Sequence, residues 1–204
     1  MKTNAISASL VLSCMLSSPL LGQASFELRN YNPLHGVDAP VFDSLGVPLA
    51  GTSYRAELWG AMASNSLSPL LDVSEGNSRE IVAFRTAGYF VGSSGFLSVL
   101  DVMPDGWAWL QVRAWDARLG ATYEEVSALG LGGYGESPLF YAQGHDPFRE
   151  PPEVAAPLVG LQSFSLRPVP EPSAGALLAV AGVAIGWAVR RGLAERERRQ
   201  GSPD

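Results

Sequence analysis

From Trp107 to Trp115 the side chains alternate without interruption, Ala108, Leu110, Val112 and Ala114 on one side and Trp107, Trp109, Gln111, Arg113 and Trp115 on the other. A period of two over this length is that of a β-strand, because successive strand side chains point to opposite faces. The small aliphatic side suits a core between sheets. Just before it, Pro104-Asp105-Gly106 has turn chemistry and predicts a hairpin joining strands at 96–103 and 107–116. Further alternating or apolar segments at 26–31, 52–59, 80–86, 89–91, 139–142 and 161–167 are separated by Gly, Ser, Pro and Asp. Short strands in this number, with almost no helical pattern, predict an all-β fold, an antiparallel β-sandwich for which a jelly-roll arrangement is one form. The one expected helix spans 122–129, where Thr122 and Glu125 have capping-box spacing. Residues 145–157, with four prolines, read as an irregular loop.

Both ends differ from this body. Lys2 precedes an apolar stretch over 6–21, and Gly22-Gln23-Ala24 puts small residues where a signal peptidase reads, so residues 1–24 are expected to be a signal peptide cut after Ala24. A lipoprotein reading acylates Cys14 instead. It leaves a very short apolar region before Cys14, and the first reading is preferred. Cys14 is the single cysteine, so a cut after Ala24 leaves a body without disulfide or thiol.

At the other end, residues 174–189 carry no charge. As a helix they would be about 24 Å long, near the short limit for a membrane span. Arg190 and Arg191 follow as a basic stop, with Arg196, Arg198 and Arg199 beyond, and this asymmetry keeps the arginines in the cytoplasm and the body outside the inner membrane.

The order Pro170-Glu171-Pro172, apolar span, arginine cluster resembles the PEP-CTERM sorting signal of exported bacterial proteins. That resemblance implies that residues 169–204 are a transmembrane sorting helix with its motif, that an exosortase is a processing partner, and that the precursor is held in the inner membrane until the body reaches the envelope or the exterior. Members of the family accompany exopolysaccharide production. The two prolines fit a protease, since they hold the backbone extended. Residues 25–168 are then the sandwich ectodomain. DAPVFDSLGVPLAGTSYRAELWGA, LQVRAWDARLGATYEE, GGYGESPLF and GLQSFSL make it similar to a recurring β-rich ectodomain of PEP-CTERM proteins, one that implies no activity.

The body offers little catalytic chemistry. The run from Gly130 to Gly135 matches a dinucleotide fingerprint letter for letter, but a helix is expected before it and Pro138 follows, so it reads as a turn. His35 and His145 lie far apart in sequence and read as isolated surface groups. No metal site or cofactor is expected. Adjacent Glu124 and Glu125 splay on a helix. Asp101, Asp105 and Asp116 lack calcium-loop spacing, and Ser93-Ser94 between glycines reads as a turn. From Ser25 to Pro170, 16 Asp and Glu face 8 Arg and no Lys, which excludes nucleic acid as a partner.

One constellation goes beyond turn chemistry. Trp107 and Trp109 with Arg113 could form a flat platform for sugar rings. The competing reading covers the tryptophans with a loop or helix and stacks Arg113 on them, paired to Asp116 or Glu125; their size favours burial. The expected function is an envelope or matrix protein with a structural or adhesive, non-enzymatic role. The alternative is a carbohydrate-binding module for exopolysaccharide. A polysaccharide hydrolase would need paired carboxylates, of which no recognisable pair is present.

The sorting motif makes one prediction. With the cognate exosortase present, Glu171→Ala should leave a membrane-retained form that keeps its C-terminal arginines, read by intact mass. A wild-type protein that also keeps residues 174–204 in that host would sink the sorting reading.

Overall fold

The structure is a computed structural model and describes residues 23–92, 96–151 and 154–170. Residues 1–22 with Cys14, the pair Ser93-Ser94, and residues 171–204 with Glu171, Pro172, Arg190 and Arg191 lie outside the described residues. Among the described residues no helix is long and apolar enough to cross a membrane.

The described residues are mostly β, with one short α-helix. Its strands are β1 (Ala24–Phe26), β2 (Tyr31–Asn32), β3 (Val37–Asp38), β4 (Val41–Phe42), β5 (Gly51–Ala61), β6 (Ser68–Pro69), β7 (Leu71–Asp72) and β8 (Ser78–Arg79). They continue with β9 (Val82–Thr86), β10 (Tyr89–Phe90), β11 (Leu97–Val99), β12 (Trp107–Asp116), β13 (Tyr134–Glu136), β14 (Phe140–Gln143) and β15 (Phe164–Ser165). Helix α1 (Tyr123–Leu129) begins as expected, with Thr122 and Glu125 capping each other.

Two antiparallel sheets carry most of the strands. The larger has the order β10-β9-β5-β12-β13, with β14 also on β12 and β6 on β5; the smaller has the order β1-β11-β7-β8. Ala108, Leu110, Val112 and Ala114 are all fully buried, so the alternation in β12 does put its small aliphatic side inward. They share one core with Leu58 and Phe84 of the larger sheet and with Phe26, Leu97 and Val99 of the smaller. At Gly60 on β5 the smaller sheet packs close. A Cβ there would stand 2.8 Å from Leu110 Cδ2 and 3.2 Å from Val99 Cγ2.

The Pro104-Asp105-Gly106 turn does not make a hairpin. β11 pairs with β1 and β7, whereas β12 pairs with β5, β13 and β14, so the turn carries the chain from one sheet to the other. Two consecutive turns bring this about. Val102 N–H donates to Val99 O at 3.4 Å and Gly106 N–H to Met103 O at 2.9 Å, with Asp101 and Asp105 both at positive φ. Val102, 5 % exposed, plugs the corner between the sheets. The expected strand at 96–103 accordingly shrinks to Leu97–Val99.

The glycine run is neither a fingerprint nor a simple turn. It leads into β13, an edge strand on β12, and glycine is needed because the last strand passes so closely. A Cβ on Gly135 would lie 2.6 Å from Ser165 O, and one on Gly132 2.0 Å from Pro168 O. The strand expected at 161–167 survives as β15, which runs parallel to β4.

Leu110→Ala should lower stability by about 3 kcal/mol in urea unfolding, since it empties the middle of the shared core. Met62→Ala, one residue past β5 and exposed, should change it by less than about 0.5 kcal/mol.

Candidate functional site

The outward side of β12 is divided along its length. At its C-terminal end Trp115 is fully buried against Tyr123 and Val126 of α1, and its indole N–H donates to Gly120 O at 3.2 Å. The helix thus covers one of the three tryptophans, as the competing reading expected. Arg113 is stacked too, but on different rings: its guanidinium carbon lies 3.6 Å from the centroid of Trp59 and 4.9 Å from that of Tyr123. Its Nε donates to Gln111 Oε1 at 2.9 Å, while the expected partner Asp116 is held by Arg118 and Glu125 caps the helix. Arg113 therefore belongs to a covered cluster and not to a sugar platform.

That cluster is anchored on Glu57, 1 % exposed, directly opposite Arg113 on β5. Its carboxylate accepts from Trp59 Nε1 at 2.7 Å and from Arg79 Nη2 at 2.5 Å, and Arg79 also reaches Glu124 on α1 at 3.0 Å. Burial pushes the Glu57 carboxyl up, against the opposing pull of Arg79 and Trp59. Burial and then the Glu136 carboxylate, which accepts the phenol proton at 3.0 Å, push Tyr123 up and keep it a neutral donor. The chemistry here is that of a buried bolt joining helix to sheet. Glu124 and Glu125 do splay, one toward Arg79 and the other back to its own cap.

The N-terminal end of β12 is open. Tyr141 on β14 lies directly opposite Trp109, and its ring sits between the two indoles, 5.3 Å from Trp107 at 24° and 5.0 Å from Trp109 at 40°. The rings form a stack rather than a flat platform, because β14 inserts Tyr141 where the sequence shows only two tryptophans. Trp107 and Tyr141 are each 50 % exposed. The stack borders a cavity of ≈ 280 Å³ lined also by His35, Gln143, His145 and Val159. Two histidines 110 positions apart therefore share one concavity, a juxtaposition the sequence does not reveal.

Two polar groups of this cavity have a backbone partner. Gln143 Nε2 donates to Asp105 O at 2.8 Å. His145 Nδ1 lies 2.8 Å from Val154 O, a carbonyl that can only accept, so Nδ1 carries the proton and neutral His145 has Nε2 as an acceptor. The irregular loop at 145–157 is tied to β1 where Ser25 N–H and Oγ both donate to His145 O. Such a wall, half aromatic with a few oriented polar groups, fits a small polar ligand that has an apolar face.

Asp101, Asp105 and Asp116 do not converge. Asp105 pairs with Arg149 beside Gln143, Asp101 occupies a turn, and Asp116 sits at the far end of β12. Among the described residues no three His, Cys, Asp or Glu groups meet as a metal site. Comparison with protein families, with characterised proteins and with solved structures finds no match to the chain.

Removing the anchor should loosen the covered cluster without touching the open one. Glu57→Ala should cost about 2 kcal/mol in urea unfolding, less than the 3–5 kcal/mol of a fully buried broken pair, because Arg79 keeps Glu124 and some access to water. Loss of stability equal to that of an exposed control would show that the cluster is decorative.

Proposed function

We propose that the chain is an exported, non-enzymatic β-sandwich protein of the cell envelope or matrix whose Trp107–Tyr141–Trp109 stack is an adhesive face for exopolysaccharide. One observation carries the binding part: Trp107 and Tyr141 are half-exposed beside a cavity with an oriented imidazole and an oriented amide. A purely structural body gains stability by burying such rings, as it does with Trp115. Pyranose rings have an apolar C–H face and a rim of hydroxyls. The stack fits the first, and Gln143 and His145 fit the second.

Export rests on the sequence at both ends: the signal-peptide layout of residues 1–24, and the Pro170-Glu171-Pro172 motif followed by an apolar span and Arg190-Arg191. The precursor is on this reading held in the inner membrane and processed by an exosortase. The expected cut after Ala24 falls inside β1, where Ala24 is buried and its N–H donates to Val102 O at 3.1 Å. It leaves Ser25 to begin the strand, with its own bond to His145 O intact.

Replacing both Trp107 and Tyr141 with Ala should abolish retardation of the exported protein in affinity gels cast with the producer's polysaccharide. Stability should fall by only about 1–2 kcal/mol, well below the cost of truncating buried aromatics. Unchanged retardation in a folded double variant would remove the stack from the binding face.

A further inference from the structure

The opposite end of the body carries a second surface. Its centre is the C-terminal segment, which the glycine run holds down: Gly133 N–H donates to Arg167 O at 2.8 Å and Arg167 N–H to Tyr134 O at 2.8 Å. Past Arg167 the chain is still seated. Pro168 O occupies the space a Cβ on Gly132 would need, and Val169 Cγ2 would be 3.3 Å from a Cβ on Gly133. Val169 and Pro170 then line a cavity together with Leu45, Tyr54 and Arg118.

Around this exit point the apolar side chains point outward. Leu45 is 86 % exposed at the tip of the turn after β4, Val47 of the same turn 56 %, Leu131 in the glycine run 51 % and Val169 46 %. Single exposed leucines are ordinary, but several gathered at one end call for a partner. Arg55, Arg118 and Arg167 are at the same end, where they stand against the acids Asp43, Asp116 and Glu136. Their nearest acids are already engaged, Asp116 by Arg118, Glu136 by Arg167 and Asp43 by the N–H groups of Leu45 and Val47.

Chain length identifies the partner. The uncharged run starts at Ala174, five residues after Val169. Five extended residues reach at most about 18 Å. A body seated through Val169 is therefore confined to the bilayer surface whenever residues 174–189 span it, and the end that faces the lipid is this one. We propose that the Leu45–Leu131–Val169 end of the body rests on the membrane, with Leu45 and Leu131 entering the headgroup layer. This inference rests on reading 174–189 as a membrane span.

The test uses the chain from Ser25 to Asp204, which the expected cut leaves without cysteine, reconstituted in vesicles of phosphatidylethanolamine and phosphatidylglycerol, with one environment-sensitive fluorophore on Leu45→Cys, Leu131→Cys or Met103→Cys. Met103 is 70 % exposed beside the Trp107 end and serves as the distant reference. Labels at 45 and 131 should be quenched by doxyl-labelled lipid at least about twofold more than the label at 103, and Leu45→Asp should return the label at 131 to the reference level. Equal quenching at 45 and 103, in chains that stay on the vesicles through an alkaline wash, overturns the inference and leaves the span reading standing. Chains released by the wash overturn both. A label at 45 that is shielded without lipid quenching, and becomes exposed as chains are diluted among vesicles, assigns this end to a second copy and overturns the membrane contact.

Discussion

The pairing of β5 with β12 is the constraint on which the rest of the structure depends. Eight consecutive residue pairs, from Trp109 opposite Ala61 to Asp116 opposite Tyr54, lock the two longest strands in one register. A slip by one residue would turn Leu110 and Val112 to the outside and drive Gln111 and Arg113 into the core. The same register sets Glu57 against Arg113 and Trp59 against Gln111, and so assembles the covered cluster on the outer face. Core and cluster are thus two consequences of a single alignment. Gly60 adds the condition that the smaller sheet can approach at the open end of the pair.

What could be read from the sequence was what depends on neighbours along the chain. The alternation of β12, its inward aliphatic side and the capped helix all follow from spacing, and the structure has them. The hairpin at Pro104-Asp105-Gly106 failed because turn chemistry says that a chain reverses without saying onto which sheet it folds. Here an earlier turn, with Asp101 at positive φ, redirects the chain before it can pair with itself. The glycine run was misleading for a related reason. Its glycines answer to Ser165, Arg167 and Pro168, some thirty residues further on, and nothing local distinguishes glycines cleared for a distant strand from glycines of a loop.

The site was legible only in half. Trp107 and Trp109 stand out in any reading of the outward face, but Tyr141, which joins them into a stack, belongs to a strand whose partner is unknown until the register is seen. Arg113 has the right spacing for a platform and still turns away from it, because Trp59 on the neighbouring strand and Tyr123 on the helix offer it two ring faces. The fates of Trp115 and Trp107, one buried and one half-open, are decided by where a seven-residue helix lies across the sheet. No periodicity within β12 encodes that.

The two ends of β12 give the molecule a direction. From Trp107 to Asp116 the strand runs about 30 Å, with the aromatic stack and the two-histidine cavity at one end and the exit of the C-terminal segment at the other. On the proposed reading, the precursor's body is kept within about 18 Å of the bilayer, and with its exit end resting on the lipid the opposite end faces away from the membrane. The stack would then be held outward by the rigidity of a single strand, without a stalk. This also gives the glycine run a purpose. By letting Arg167 and Pro168 pass within backbone distance of β13, Gly132 and Gly133 remove slack that a looser crossing would add between body and membrane. Orientation of the adhesive face and close seating of the exit segment are, on this view, two ends of one mechanical element.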